Sequence, residues 1–425
     1  MKIRGLKLIP LITSIMIIVI VFHKAIEGAI FSSSSTVIDE VAVLLITSMA
    51  FFLQLNRGVL KSSFAFIILV GIYLIIISIS FGENNSYFAI IGQSFLYLQF
   101  FLLLISLSII HENYPGFVSN TFLIILIVSL LGCIIQIAFP SLFASIFGAT
   151  DYILGGDSTS TLRVEGFQKN PNSIGILLSM FMILIMFRPK VIKNRIIRNF
   201  VFFFALFMLL DSGSRSAMIF LVVAFIFMSS SIKRKILIAS VGFAAIFATG
   251  IMEVTYEKTQ ENIAQIETGT DNKYIRWLMT YHGTMLAIDN FPIGVGAGTF
   301  GSAFSHESPV YDRLGLASLA SVQEGRGIHD SNYGSIAGEF GVIGLVLFFG
   351  LNILFIRQII NRKNMSIYSD FKDNKKFIKT IIFITLLAPF MRPLFSSSYY
   401  GVIVSLLILS FIEKSFSSKV ITKQN

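Results

Sequence analysis

The stretch HDSNYGSIAGEFGVIG, residues 329–344, places His329, Asp330, Asn332 and Glu339 directly ahead of the apolar run LVLFFGLNILFI. A neutral imidazole, whose ordinary pKa is about 6.5, can serve as general base toward a hydroxyl group as it attacks. A carboxylate inside an apolar helix is costly unless partnered, so Glu339 is expected to face the protein interior, pairing with an arginine or orienting a neighbour. A plainer reading also stands: His329 and Asn332 cap a helix, and Glu339 answers Arg215 or Arg276. Four other segments each present an arginine: Arg163 in LRVEGFQKNPNSIG, Arg215 in DSGSRSA, Arg276 in DNKYIRWLMTYHG and Arg392 in LLAPFMRPLFSSSYYG. The planar guanidinium fork suits a phosphate or diphosphate, which it grips with two charge-assisted hydrogen bonds. Singly, each arginine suits a lipid headgroup or a nearby acid as well, as Arg163 suits Glu165.

The elements that must hold these residues follow from composition. The chain has 425 residues, is 55% hydrophobic and only 13% charged, against about 25% charged in soluble domains. Lipid must therefore be the solvent for most of it. At roughly 20 apolar residues per span, fewer where neighbours cover the ends, the hydropathy pattern predicts about twelve transmembrane helices. They fall near 8–22, 39–55, 62–82, 88–110, 117–138, 172–187, 200–212, 215–231, 236–251, 333–356, 380–392 and 399–412. The fold class expected is an all-α integral membrane protein with both termini cytoplasmic. MKIRGLK and the apolar run after it read as a signal-anchor. Three regions are expected: N-terminal spans over 1–138, a central core over 139–356, and a cytoplasmic loop with the last spans over 357–425.

Charge orients the spans. Most of the 33 Lys and Arg residues cluster in segments that face one side, such as RPKVIKNRIIRN and Lys233-Arg234-Lys235. The positive-inside rule makes that side cytoplasmic and accounts for the net charge of +10 without nucleic acid. The loops at 139–171 and 251–332 then face out, with the arginines and His329. The short hairpin around Ser212–Ser216 places Arg215 below the outer surface, and Arg392 repeats the pattern. Cys133 is the single cysteine, so an internal disulfide is excluded. The loop Gly294-Val-Gly-Ala-Gly298 lacks the lysine and the preceding strand of a nucleotide-binding loop and reads as a tight turn at the membrane surface. Gly334 and Gly338, extended by Gly341 and Gly344, make a small-residue face suited to docking a second helix.

The segments RVEGFQKNPNSIG, SGSRSA, RWLMTYHGTMLAIDNFPIGVGAGTF and HDSNYGSIAGEFGVIGLVLFF, within residues 163–349, resemble the O-antigen ligase-related superfamily. That superfamily holds O-antigen or capsule polymerases and O-antigen ligases. The resemblance implies a bacterial cytoplasmic-membrane glycosyltransferase that works without metal or cofactor, on a glycan carried by undecaprenyl diphosphate, at the outer face. By motif, Arg163, Arg215 and Arg276 resemble the diphosphate-binding arginines, and His329 the base for the acceptor hydroxyl. Asp330, Asn332, Glu339 and Arg392 are supporting candidates. Asp330 departs from the Asn, Ser or Gln usual after the family histidine. The reading is a polymerase, with a lipid-linked repeat unit as acceptor and a chain-length regulator as a candidate partner. The alternative is a ligase, with lipid A core as acceptor. A flippase for lipid-linked sugars is a third reading, though such proteins often show two similar halves. Here one outer loop dominates the second half. A structural subunit without chemistry is the fourth.

Overall fold

The computed structural model describes residues 8–30, 37–55, 62–83, 86–148, 163–229, 231, 233–238, 240, 275–323, 325, 327–360 and 371–422. Among these there is no strand. The helices are α1 (Leu8–Ile30), α2 (Ile38–Leu55), α3 (Ser62–Phe81), α4 (Tyr87–Asn113), α5 (Phe117–Ala138), α6 (Pro140–Phe147), α7 (Pro171–Phe187), α8 (Arg195–Asp211), α9 (Arg215–Met228), α10 (Ile275–Asp289), α11 (Asn332–Ile360), α12 (Phe371–Met391) and α13 (Ser398–Thr422). Six of them are long and apolar enough to cross a membrane: Leu8–Ala29, Ile38–Leu55, Ser63–Phe81, Tyr87–Asn113, Phe117–Ala138 and Asn332–Ile359. Pro171–Phe187, Arg215–Met228 and Ser398–Ile412 are shorter and apolar. The chain is a multi-pass membrane protein.

Several expected boundaries move. The first span continues through a kink at Phe22 to Ile30. That at 380–392 begins at Phe371 and tolerates Pro389 near its end. The expected span at 236–251, apart from 236–238 and 240, lies outside the described residues, as do 149–162 and 251–274 of the two outer loops.

Helix α4 is the most enclosed of the six, with 67% of its apolar window buried, and it packs on α2, α3, α11 and α13. α13 in turn touches α5 and α7, while α9 joins α7 to α12. The seam is aromatic. Phe395 stacks on Phe101 at 5.4 Å between ring centres and meets Phe348 at 5.7 Å. Buried aromatic pairs of this kind add about 0.5–1.5 kcal/mol each beyond their area.

The described residues of 275–331 form a cap with a small core of their own, including Ile275, Met279, Phe300, Tyr311 and Ile328. The cap is fastened to α11 by two devices. Gly283 of α10 faces Gly334 so closely that a Cβ on either would come within 3.0 Å of the other helix's backbone. Gly338 packs against Phe300 and Gly283. Those two glycines dock α11 as expected.

Gly341 and Gly344 do something else, which corrects the docking reading for both. Gly341 breaks α11, with φ 60 and ψ −154, a conformation open mainly to glycine. The break releases the carbonyls of Gly338 and Glu339, which accept the amides of Val295 at 2.9 Å and Gly296 at 2.8 Å. Pro292 completes the join by accepting the Ile343 amide at 3.3 Å. Gly344 faces Phe340 and Ile336 of its own helix. The glycine loop after α10 is thus knitted into a helix break rather than forming an isolated surface turn.

Candidate functional site

Arg163 is set by its backbone. Gln136 of α5 accepts the amides of Glu165 at 3.0 Å and Gly166 at 2.9 Å. The chain then makes a 3-10 turn and enters α7, where Asn170 caps the amides of Asn172 and Ser173 with Pro171 at the first helical position. From this fixed base the Arg163 Nε donates to the Ser212 carbonyl at 2.9 Å, and its guanidinium lies against Gly213. That tip sits on Gly175 of α7, where any side chain would strike Ser214. Arg215, the first residue of α9, is exposed.

The other side of the tip meets Arg392. This arginine is 8% exposed, and its Nε donates to Ser216 Oγ at 3.2 Å. The turn after it is held by Asn332, whose Oδ1 accepts the Phe395 amide at 2.6 Å while Nδ2 donates to Ser396 Oγ at 2.8 Å. Asn332 therefore ties the start of α11 to the α12–α13 turn. It does not cap its helix; Ser331 does, accepting the Gly334 amide. Tyr399 anchors the same corner by donating to the Ser173 carbonyl at 2.7 Å.

Arg276, on the first turn of α10, forms an ion pair with Asp330, its Nε lying 2.7 Å from Oδ2. The unusual aspartate after His329 is thereby explained. Tyr400 lies within electrostatic reach of Arg392, Asp330 and Arg276, and Arg163 and Arg392 each bond the Ser212–Ser216 tip that carries Arg215, so these groups lie toward one end of the bundle, a polar region referred to as the basin.

His329 is exposed at its own surface yet ringed by protein at longer range, as in a recess. That burial lowers its pKa from the usual imidazole value, Asp330 pulls it back upward, and Lys24 pushes it down. Lys24, six residues before the end of α1, also acts on Lys169, whose pKa is lowered first by burial. Lys169 adopts a left-handed conformation, φ 49, and donates to the Phe147 carbonyl. Neither lysine stood out in the sequence. Lys24 follows an apolar span like any flanking cation, and only the approach of α1 to the 3-10 turn brings it near.

Glu339 is not in the basin. It is fully buried, and its Oε1 accepts the amides of Thr299 at 2.9 Å and Phe300 at 3.2 Å and the Ser302 hydroxyl at 2.6 Å. Tyr97 of α4 lies beside it. Pairing with Arg215 or Arg276 is therefore corrected: Glu339 orients the glycine loop. The loop's amides are likewise occupied, Ala297 by Ser78 and Gly301 by Tyr311, so they form no phosphate cradle.

Chemically, this region carries guanidinium groups, which suit phosphate oxygens, and an imidazole whose pKa is shifted toward the neutral, proton-accepting form. No curated protein matches the chain. Arg215, Arg276, His329 and Glu339 fall within residues 200–349, which match the O-antigen ligase family model (Wzy_C), consistent with the O-antigen ligase-related superfamily that the motifs resemble.

Proposed function

We propose that the chain is a glycosyltransferase of the bacterial cytoplasmic membrane that polymerises lipid-linked repeat units at the outer face. What supports this reading is that Arg163 and Arg392 bond either side of the tip that carries Arg215, while Arg276 pairs with Asp330, the neighbour of His329, and both Arg392 and Arg276 lie within electrostatic reach of Tyr400. His329 accepts the proton of the acceptor hydroxyl as its oxygen attacks the anomeric carbon. The bond from that carbon to the diphosphate breaks with inversion, and undecaprenyl diphosphate leaves. Arginines placed before the reaction stabilise the charge growing on the leaving group. Asp330, beside His329, favours the imidazolium that results. The family description favours a second reading, in which the same donor is transferred to lipid A core as a ligase would do. The two readings differ only in acceptor.

The test is a gel of surface glycan from a host lacking its own copy, rescued with wild type or His329→Ala. A null strain with single-repeat core, restored to a ladder by the wild type, identifies a polymerase. Bare core with polymer retained on undecaprenyl diphosphate identifies a ligase. Rescue by His329→Ala at equal expression would sink the catalytic assignment.

A further inference from the structure

The cap exposes its large apolar side chains in one place. Among the described residues of 275–341, those exposed are Trp277 (63%), Tyr281 (50%), Met285 (38%), Ile288 (61%) and Phe291 (70%). The first four recur at steps of four, four and three along α10, which is one stripe of a helix. The opposite face, with Met279, Gly283 and Leu286, packs on α11 or in the cap core. Exposed polar residues of α10 fall outside the stripe, Asp289 on one flank and Arg276 toward the face that packs on α11. Water-facing surfaces carry single apolar residues scattered among polar ones, whereas a contiguous stripe marks a covered surface.

What covers it is indicated by what adjoins it. Phe291 ends the stripe, and the carbonyl of the next residue, Pro292, bonds to Ile343. Ile343 opens the lower part of α11, where Val342, Ile343 and Val346 are exposed, Val346 by 69%. These residues belong to a helix long and apolar enough to span a membrane. The stripe therefore continues a lipid-facing surface upward without interruption. Tryptophan and tyrosine lead it, the residues that settle at the headgroup level of bilayers.

We infer that the exposed face of α10 is embedded in the outer leaflet of the membrane, with Trp277 at headgroup level and Phe291 toward the acyl chains. The helix accordingly presents Arg276 at the depth of lipid phosphates rather than in bulk water. This placement does not depend on the reaction proposed above; quenching can stand while the glycan assay fails, and the reverse.

Trp277 is the only tryptophan in the chain, so the unmodified protein carries its own reporter. The full-length protein is reconstituted into phosphatidylcholine vesicles with bromine at defined acyl positions, and iodide is used as the aqueous quencher. The expected result is a blue-shifted emission, lost to lipids brominated near the headgroup and largely resistant to iodide. Trp277→Phe combined with Phe291→Trp moves the reporter, and its emission should be lost to more deeply placed bromine. Strong iodide quenching with no response to brominated lipid would place α10 in water and overturn the inference. Shielding from both quenchers would mean that protein, such as a second copy, covers the stripe, and would overturn it equally.

Discussion

Asp330 holds Arg276 by an ion pair and acts electrostatically on His329 at the same time, so in the proposed reaction one carboxylate would adjust both the phosphate-binding and the proton-accepting groups. His329 serves as a base only when neutral, which is the form present above its pKa. Burial lowers that pKa, so transfer should persist on acidification below the pH where an ordinary imidazole protonates. Asp330→Asn removes an upward pull and should move the acid limb of the rate profile to lower pH. Lys24→Gln removes a downward push and should move it higher. Rates measured against pH with a lipid-linked donor check both signs, and shifts in one common direction would refute the electrostatic account. His329→Ala should lower the rate by about 100- to 10,000-fold, the usual share of a positioned acid or base. Arg163 and Arg392 each spend Nε on the protein, so Arg→Lys at either site loses the anchored fork. The expected cost is weaker donor binding, by about 1.5–3 kcal/mol per charged hydrogen bond lost. A KM unchanged by both substitutions would remove these residues from the diphosphate site.

The broken helix α11 and the glycine loop are a single element in energetic terms. Glu339 supplies one oxygen to three donors, and Glu339→Leu would orphan all three. At about 1–3 kcal/mol for each buried group left without a partner, the change should cost several kcal/mol. Glu339→Gln keeps an acceptor oxygen and should retain most of the stability. Thermal unfolding in detergent separates the two, and equal destabilisation would mean that charge, rather than acceptor geometry, matters there. Gly341→Ala should also destabilise, because its φ of 60 disfavours a side chain and a Cβ would press on Pro292.

At the scale of the molecule, the bundle buries its polar anchors at the end where the arginines lie, and the cap closes over that end with a core of its own. The orientation expected from charge is checked with the chain's chemistry. Cys133 is the only cysteine and is buried, so background labelling should be low. A cysteine at Glu307, in the cap, should react with a membrane-impermeant maleimide in intact cells. One at Lys233 should react only after permeabilisation. The opposite pattern would invert the topology and place the basin in the cytoplasm.

What the sequence by itself determined was the solvent, the helical class and the identity of the chemical groups. Hydropathy is a local property, written over about 20 residues at a time, and motifs such as SGSRSA and the His329 stretch are equally local. Arg163, Arg215, Arg276 and His329 were legible as candidates on those grounds. Their assembly was not, because it depends on contacts between residues far apart in the chain: Gln136 with Glu165, Ser216 with Arg392, Asn332 with Phe395. Gly341 looked like Gly334 and Gly338 because small residues share one pattern whether they dock a helix or break it. Only the tertiary structure decided between those uses, since the loop that fills the break arrives from residues 292–296. For the same reason Glu339 read equally as a partner for an arginine or as a group that orients a neighbour, and the buried amides of Thr299 and Phe300 decide for the second.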